Sequence, residues 1–412
     1  MLRGRFAVIA INAVIFIAGL GAMELGARWV QTRRLGSHSL SPPSRMDRWA
    51  AWWNAPGYAR FDIHHNGQGF RRDAEVSLDK PPNTVRIFFL GGSTAYGYEG
   101  LYRGLDPEWQ PLYNRDLIDV YLEKILQARH PERRWEVINA ASPEYRMHQH
   151  LMLIYSRVLR FHPDLAIFMD GHNDMSGLMT DAGPEGHDAF EETPHADEFE
   201  AMVYPRSFRS LLFINATWLR YNSVLFDLLY RKALAGSQEK GLGPGVDSSR
   251  PVSSPVQLEA LSPAERQRAA RNLAQTGYYT QMAERLNSAL AHEGIPAMFS
   301  LQPELILSQK PLTPIEAKLA DHTRQISQRY ITYMYEQMRP AIARQMAEAA
   351  RRDGFVFADL EEAFRGGAER TFSDYCHLTP KGDQLVAEAL YRSMEQDVIP
   401  KLIAATARPQ PR

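Results

Sequence analysis

Between residues 84 and 360, short β-branched or aromatic runs alternate with stretches of helical period, and this alternation leaves the chain few architectures to adopt. The runs are VRIFFL at 85–90, WEVINA at 135–140, DLAIFMD at 164–170, PAMFSLQ at 296–302 and GFVFADL at 354–360. Helical patterns lie near 116–128, 147–161, 263–292 and 314–352, and a last one opens at Thr379-Pro380, where proline suits a first helical turn. Strands that are apolar almost throughout, separated by helices, mark β-α-β units around a parallel sheet covered on both faces. The expected fold is α/β, a doubly wound parallel sheet flanked by helices, with an N-terminal transmembrane helix and an inserted helical and loop region.

The amino terminus departs from an otherwise soluble composition. FAVIAINAVIFIAGLGAM at 6–23 is interrupted only by Asn12, follows Arg3 and Arg5, and precedes Glu24, Arg28, Arg33 and Arg34. Since roughly 20 helical residues cross a bilayer, residues 1–32 read as a membrane anchor. The leading arginines favour an N-in orientation, with the rest of the chain on the periplasmic or extracellular side of the cytoplasmic membrane. A cleaved signal peptide and a buried core helix are the alternatives.

Residues 33–82 read as a stalk that becomes a surface strap. Its HHNGQGFRRD carries His64 and His65, but neighbours on extended chain point to opposite faces, so no metal site is expected there. Residues 83–175 and 264–398 form the main domain, and 176–263 is an insertion. The insertion holds an acidic, turn-rich stretch, a helical pattern at 207–234 and a flexible loop. That helical pattern reads first as a cap packed on the core and second as a face turned to lipid or a partner. Residues 399–412 are expected to be a flexible tail.

Of 412 residues, 47 are Lys or Arg and 48 Asp or Glu, so the net charge of -1 gives no field to draw nucleic acid. The one cysteine, Cys376, excludes an intramolecular disulfide and any multi-thiolate metal site. It reads as a packing residue, and no cofactor or metal is expected. His148, His150, His162 and His172 read as surface or strand-end residues.

In a doubly wound sheet, ligands gather beyond the carboxyl ends of the strands, and the chemically capable residues fall there. Ser93 follows the first strand in GGST, NAASPEY at 139–145 follows the second, and GHND at 171–174 follows the third. Far downstream, DYCHLTPKG places Asp374 three residues before His377. A serine at a strand-ending turn becomes a nucleophile when a histidine and a carboxylate fold against it. The bland alternative makes Ser93 and Asn173-Asp174 helix caps and Asp374 a loop acid.

These four segments together resemble the SGNH subgroup of the GDSL hydrolases over about residues 84–394, outside the insertion. The resemblance implies that Ser93 attacks an ester carbonyl, that His377 takes and returns the proton, and that Asp374 holds the imidazole tautomer. It implies Asn173 as an oxyanion donor beside the backbone N–H of Ser93 and that of a second-block residue. The family has glycine in that second block, and Ala141 is the residue aligned with it here. The expected activity is a serine esterase removing short acyl groups, acetyl among them, from cell-envelope carbohydrate or lipid. Acyl transfer to a polysaccharide by the same triad is the alternative, and a non-catalytic glycan-binding or scaffold protein with a decayed site is a third reading. Tyr96, Tyr98, Tyr102, Trp109 and Tyr113 after the serine would suit a sugar platform or plain packing.

Overall fold

Chain order sets the layers of the protein, whose computed structural model describes residues 2–35, 43–60, 63–100, 105–179, 215–216, 218–219, 223–238, 261–326 and 329–406. Helix α1 (Leu2–Leu35) precedes an antiparallel hairpin of β1 (Ser44–Asp47) and β2 (Ala51–Asn54). The strands β3 (Thr84–Gly91), β4 (Arg134–Asn139), β5 (Leu165–Asp170), β6 (Ala297–Leu301) and β7 (Val356–Asp359) then form one sheet in the order β4-β3-β5-β6-β7. Every pair is parallel, with Phe89 in register with Asn139 on one side and Ile167 on the other. Strand order therefore reverses around β3, and the crevice beyond its carboxyl end is where such sheets bind ligands.

The strands are largely apolar on both faces because both are covered; the exception on β3, buried Arg86, donates to Glu136 Oε2 of β4 at 2.9 Å. Along β3, Phe88 and Leu90 enter one core cluster while Val85, Ile87 and Phe89 enter the other, the period-2 alternation of a pleated strand. Short α2 (Ser93–Tyr96) follows β3, then α3 (Ile118–Arg129), α4 (Met147–Leu153) and α5 (His172–Leu178). The described part of the insertion contributes α6 (Val224–Gln238), and α7 (Pro263–Leu273), α8 (Gly277–His292), α9 (Pro314–Ile326) and α10 (Arg329–Asp353) surround β6. α11 (Pro380–Met394) and α12 (Ile399–Thr406) close the chain. Leu122 and Leu126 of α3 and Val386, Leu390 and Met394 of α11 share one cluster; Leu286 and Leu290 of α8 and Ile342 and Met346 of α10 share the other.

Three expectations need correction. The pattern at 263–292 is two helices: Thr276 Oγ1 donates to the Leu273 carbonyl at 2.9 Å, closing α7 just before Gly277 opens α8. The described residues of the pattern at 314–352 are helical, as α9 and α10. The tail is ordered as far as Thr406, since Ile399 and Leu402 bury themselves in the cluster shared with α3 and α11.

The strap enters the core along part of its described length. Trp52, Trp53 and Phe70 are core residues, and Phe70 packs edge-on against Phe88 with ring centroids 5.6 Å apart. Arg71 is fully buried, which is tolerable because its guanidinium donates to the carbonyls of Gly97 at 2.6 Å and Leu112 at 2.8 Å. Most of the insertion, including the acidic stretch and the flexible loop expected there, lies outside the described residues. Its described helix α6 packs on α1.

Candidate active site

The turn after β3 owes its shape to two glycines. A Cβ on Gly91 would stand 2.2 Å from the Met169 carbonyl oxygen, and one on Gly92 would stand 2.6 Å from Asn173 Nδ2. Only glycine allows the two strand ends to approach so closely. Gly92 is the N-cap of α2, which places Ser93 at its first position, partly exposed at the carboxyl edge of the sheet.

Ser93 Oγ lies 2.8 Å from His377 Nε2, and His377 Nδ1 lies 2.7 Å from Asp374 Oδ2. The other carboxylate oxygen of Asp374 accepts the backbone N–H groups of Cys376 at 2.9 Å and His377 at 2.8 Å. Burial works against the charge of Asp374, but the neighbouring imidazole and these hydrogen bonds hold its pKa down at about 2. An ionised Asp374 fixes the proton on Nδ1 and leaves Nε2 to accept from the serine. The loop that carries both residues is pinned by Ser373 N–H on the His377 carbonyl at 2.9 Å and by Thr379, which caps α11.

Asn173 sits on α5 beside the Gly92 turn and donates Nδ2–H to the Tyr145 carbonyl at 3.0 Å. An amide nitrogen carries a second hydrogen, so this bond orients Asn173 without exhausting it. Ser93, Asn173, Asp374 and His377 are thus brought together from two strand ends and a C-terminal loop.

Ala141 is placed differently from expectation. Its N–H donates to Asn139 Oδ1 at 3.1 Å and its carbonyl accepts from Asn54 Nδ2 at 2.8 Å, so both backbone groups are committed to holding the loop. The left-handed residue of this loop is Glu144, with φ of 67°, immediately before Tyr145. Positive φ is where glycine is at home, so Glu144, and not Ala141, holds the backbone conformation that a glycine would favour. The strap supports the same loop: Trp52 Nε1 donates to the Pro143 carbonyl at 3.0 Å, and Tyr145 Oη donates to the Trp52 carbonyl. A positive-φ residue cannot be recognised from NAASPEY, because no glycine marks it.

Other groups around the site went unassigned in the sequence. His172 is sandwiched between the rings of Tyr335 and Tyr375, at 5.1 and 5.0 Å, with Nδ1 on Glu304 Oε1 at 2.9 Å. Burial opposes its charge, but Glu304 raises its pKa. His150, read as a surface or strand-end residue, is instead fully buried on α4 and pairs with Asp170 at 3.0 Å. His64 bonds Asp73 at 3.1 Å, while buried His65 spans the Ala55 carbonyl at 3.0 Å and Tyr96 Oη at 2.7 Å, so the neighbouring rings have separate partners. Among the described residues, ligating atoms gather in His172, Glu304 and Cys376 and in Asp374, Cys376 and His377. In each group the histidine already bonds the carboxylate, and burial pushes the Cys376 thiol up, away from the thiolate that metals prefer.

Of the aromatic residues after the serine, Tyr98 reaches the site, its ring 5.0 Å from that of His377. Tyr96 is buried on His65, and Tyr102 lies outside the described residues. Beyond Tyr98, a cleft of about 440 Å³ is lined by Glu99, Asp106, Trp109, Arg370, Ser373 and Lys381, next to Asp374 in the chain.

The profile of the GDSL-like Lipase/Acylhydrolase family matches residues 89–385. A comparison with curated proteins gave no match. Among solved structures, an acetylxylan esterase from Geobacillus stearothermophilus is 12% identical with a TM-score of 0.36, over 76% of this chain and 95% of that one. An alpha/beta hydrolase from the metagenome of Lake Arreo, Spain, is 14% identical with a TM-score of 0.34, again over 76% of this chain and 95% of its own.

Proposed function

Because the chain belongs to the GDSL-like lipase/acylhydrolase family and is a carboxylic-ester hydrolase, we propose that Ser93 is its nucleophile and that it removes short acyl groups from cell-envelope carbohydrate or lipid esters. The observation that carries this reading is the continuous chain from Ser93 Oγ through His377 to Asp374, at 2.8 and 2.7 Å. His377 Nε2 takes the hydroxyl proton as Oγ adds to the ester carbonyl, and returns it to the leaving alkoxide as the tetrahedral intermediate collapses to acyl-Ser93. Water, activated by the same nitrogen, then releases the acid. Asp374 keeps its charge throughout and stabilises the imidazolium.

The oxyanion falls to the free hydrogen of Asn173 Nδ2, the backbone N–H of Ser93 at the start of α2, and the backbone N–H of Glu144 at the loop apex. Donors preset at the developing charge are the largest single contribution in this chemistry. Tyr98 and the cleft beyond it supply an apolar ring and polar groups of the kind a sugar requires.

The segment Ile11–Val30 of α1 is long and apolar enough to cross a membrane. In this reading it anchors the enzyme in the cytoplasmic membrane, with the sheet on the periplasmic or extracellular side. The test is hydrolysis of p-nitrophenyl acetate and of acetylated oligosaccharides by the full chain. Turnover that disappears in Ser93→Ala and His377→Ala with folding intact supports the proposal; turnover that survives both substitutions contradicts it.

A further inference from the structure

Glu24 lies near the carboxyl end of the apolar segment Ile11–Val30 of α1, and its carboxylate is engaged by the start of α6. Oε2 accepts from Ser223 Oγ at 2.8 Å and from the Leu225 N–H at 2.9 Å, while Oε1 accepts from the Val224 N–H at 2.9 Å. Arg28 Nε donates to the same Oε1 at 2.7 Å. A helix begins with unsatisfied N–H groups and a partial positive charge, so a carboxylate offered by another helix holds it in place. Some 200 residues of chain separate Glu24 from Val224, so this clip fastens the insertion to the amino-terminal helix.

The side chains around the clip do not join the catalytic core. Val224 is buried yet belongs to neither core cluster. Leu228 and Leu229 on α6 are 54% and 59% exposed, Trp218 just before it is 61% exposed, and on α1 Leu25 and Trp29 are 70% and 60% exposed. The Arg33 guanidinium lies 5.0 Å from the Trp29 ring centroid, a pairing suited to the level of lipid headgroups, where tryptophan and long cations gather. Exposed Lys232 lies one turn beyond Leu228 on α6.

We propose that α6 lies in the interfacial layer of the bilayer, held there by Glu24, so that the inserted segment is a second membrane contact beside α1. The inference rests on α1 being a membrane span. Neighbouring exposed leucines with a lysine one turn on, able to snorkel to the headgroups, suit an interfacial helix, and the clip brings the start of α6 near the carboxyl end of the apolar segment of α1. The catalytic sheet is then moored at two points, which suits an ester carried by a membrane lipid.

The full chain in phosphatidylethanolamine/phosphatidylglycerol vesicles, with Cys376→Ser and one new cysteine bearing an environment-sensitive fluorophore, tests this. Ile15→Cys reports on the span, Leu229→Cys on α6, and Gln127→Cys on the exposed face of α3. Spin-labelled lipid should quench positions 15 and 229 and spare 127, and adding Glu24→Ala should at least halve quenching at 229 while leaving 15 unchanged. Quenching at 15 without quenching at 229 overturns the inference and leaves the anchor standing. A blue-shifted fluorophore at 229 that lipid does not quench puts a second copy of the chain there and also overturns it. Quenching at 229 that persists in Glu24→Ala rejects the clip, and no quenching at 15 removes the span and the inference together.

Discussion

The carbonyl of Tyr145 accepts a hydrogen bond from Asn173 Nδ2 at 3.0 Å, tying the loop after β4 to the helix after β5 directly over the Gly92 turn. Asn173→Ala removes one oxyanion donor and loosens the loop that holds another. Its kcat should fall by about 10²–10³-fold with a smaller change in KM. A loss shared equally between kcat and KM would instead make Asn173 a substrate-binding group.

Glu144 and Ala141 make opposite predictions. Glu144→Gly keeps the backbone N–H and relieves a left-handed residue, an arrangement that costs about 1 kcal/mol, so kcat should stay within a few-fold and Tm should rise. Glu144→Pro removes the N–H and cannot take positive φ, so kcat should fall by about 10²-fold or more. Ala141→Gly, at a residue whose N–H already serves Asn139, should leave kcat nearly unchanged. Steady-state kinetics and thermal melts of the three variants decide between the two positions.

Asp374→Asn should lower kcat by about 10⁴-fold, because the amide no longer selects the Nδ1–H tautomer. The substitution should also cost stability, since Oδ1 satisfies two buried N–H groups. Asp374 has its pKa held at about 2 against an ordinary 3.8. Its contribution to stability is therefore present above pH 3.8 and lost as pH falls through 2. The loss of stability between those values should be shallower in Asp374→Asn than in the wild type.

Asp119 titrates in the opposite sense. Burial drives its carboxyl up to about 7, the hydrogen bond from Asn139 working against it and the charge of Glu123 adding to it. The folded protein binds this proton more tightly than the unfolded chain, so the associated stability is present below pH 3.8 and lost as pH rises through 7. Asp119→Asn should flatten the decline of Tm over that window. An unchanged slope would show that Asp119 is ionised in the fold.

How much was legible beforehand follows from which contacts are local. The strands VRIFFL and DLAIFMD announce themselves by largely apolar runs, and Asp374 and His377 by their spacing, because short-range pattern determines both. The strap was misjudged since Trp52, Phe70 and Arg71 find their partners far along the chain, in Tyr145, Phe88 and Leu112. Ala141 resembles glycine in its small side chain, which a sequence displays, whereas the positive φ of Glu144 is not visible there. The helix over 263–292 divided where Gly277 meets Thr276, a break that its apolar periodicity alone does not reveal.

That Ser93 is the nucleophile is tested most directly by intact-protein and peptide mass spectrometry after a fluorophosphonate, which phosphonylates an activated serine with loss of fluoride. A single adduct is expected, mapped to Ser93 and slowed by orders of magnitude in His377→Ala. A folded wild-type protein that forms no adduct, or forms it on another residue, contradicts Ser93 as the nucleophile.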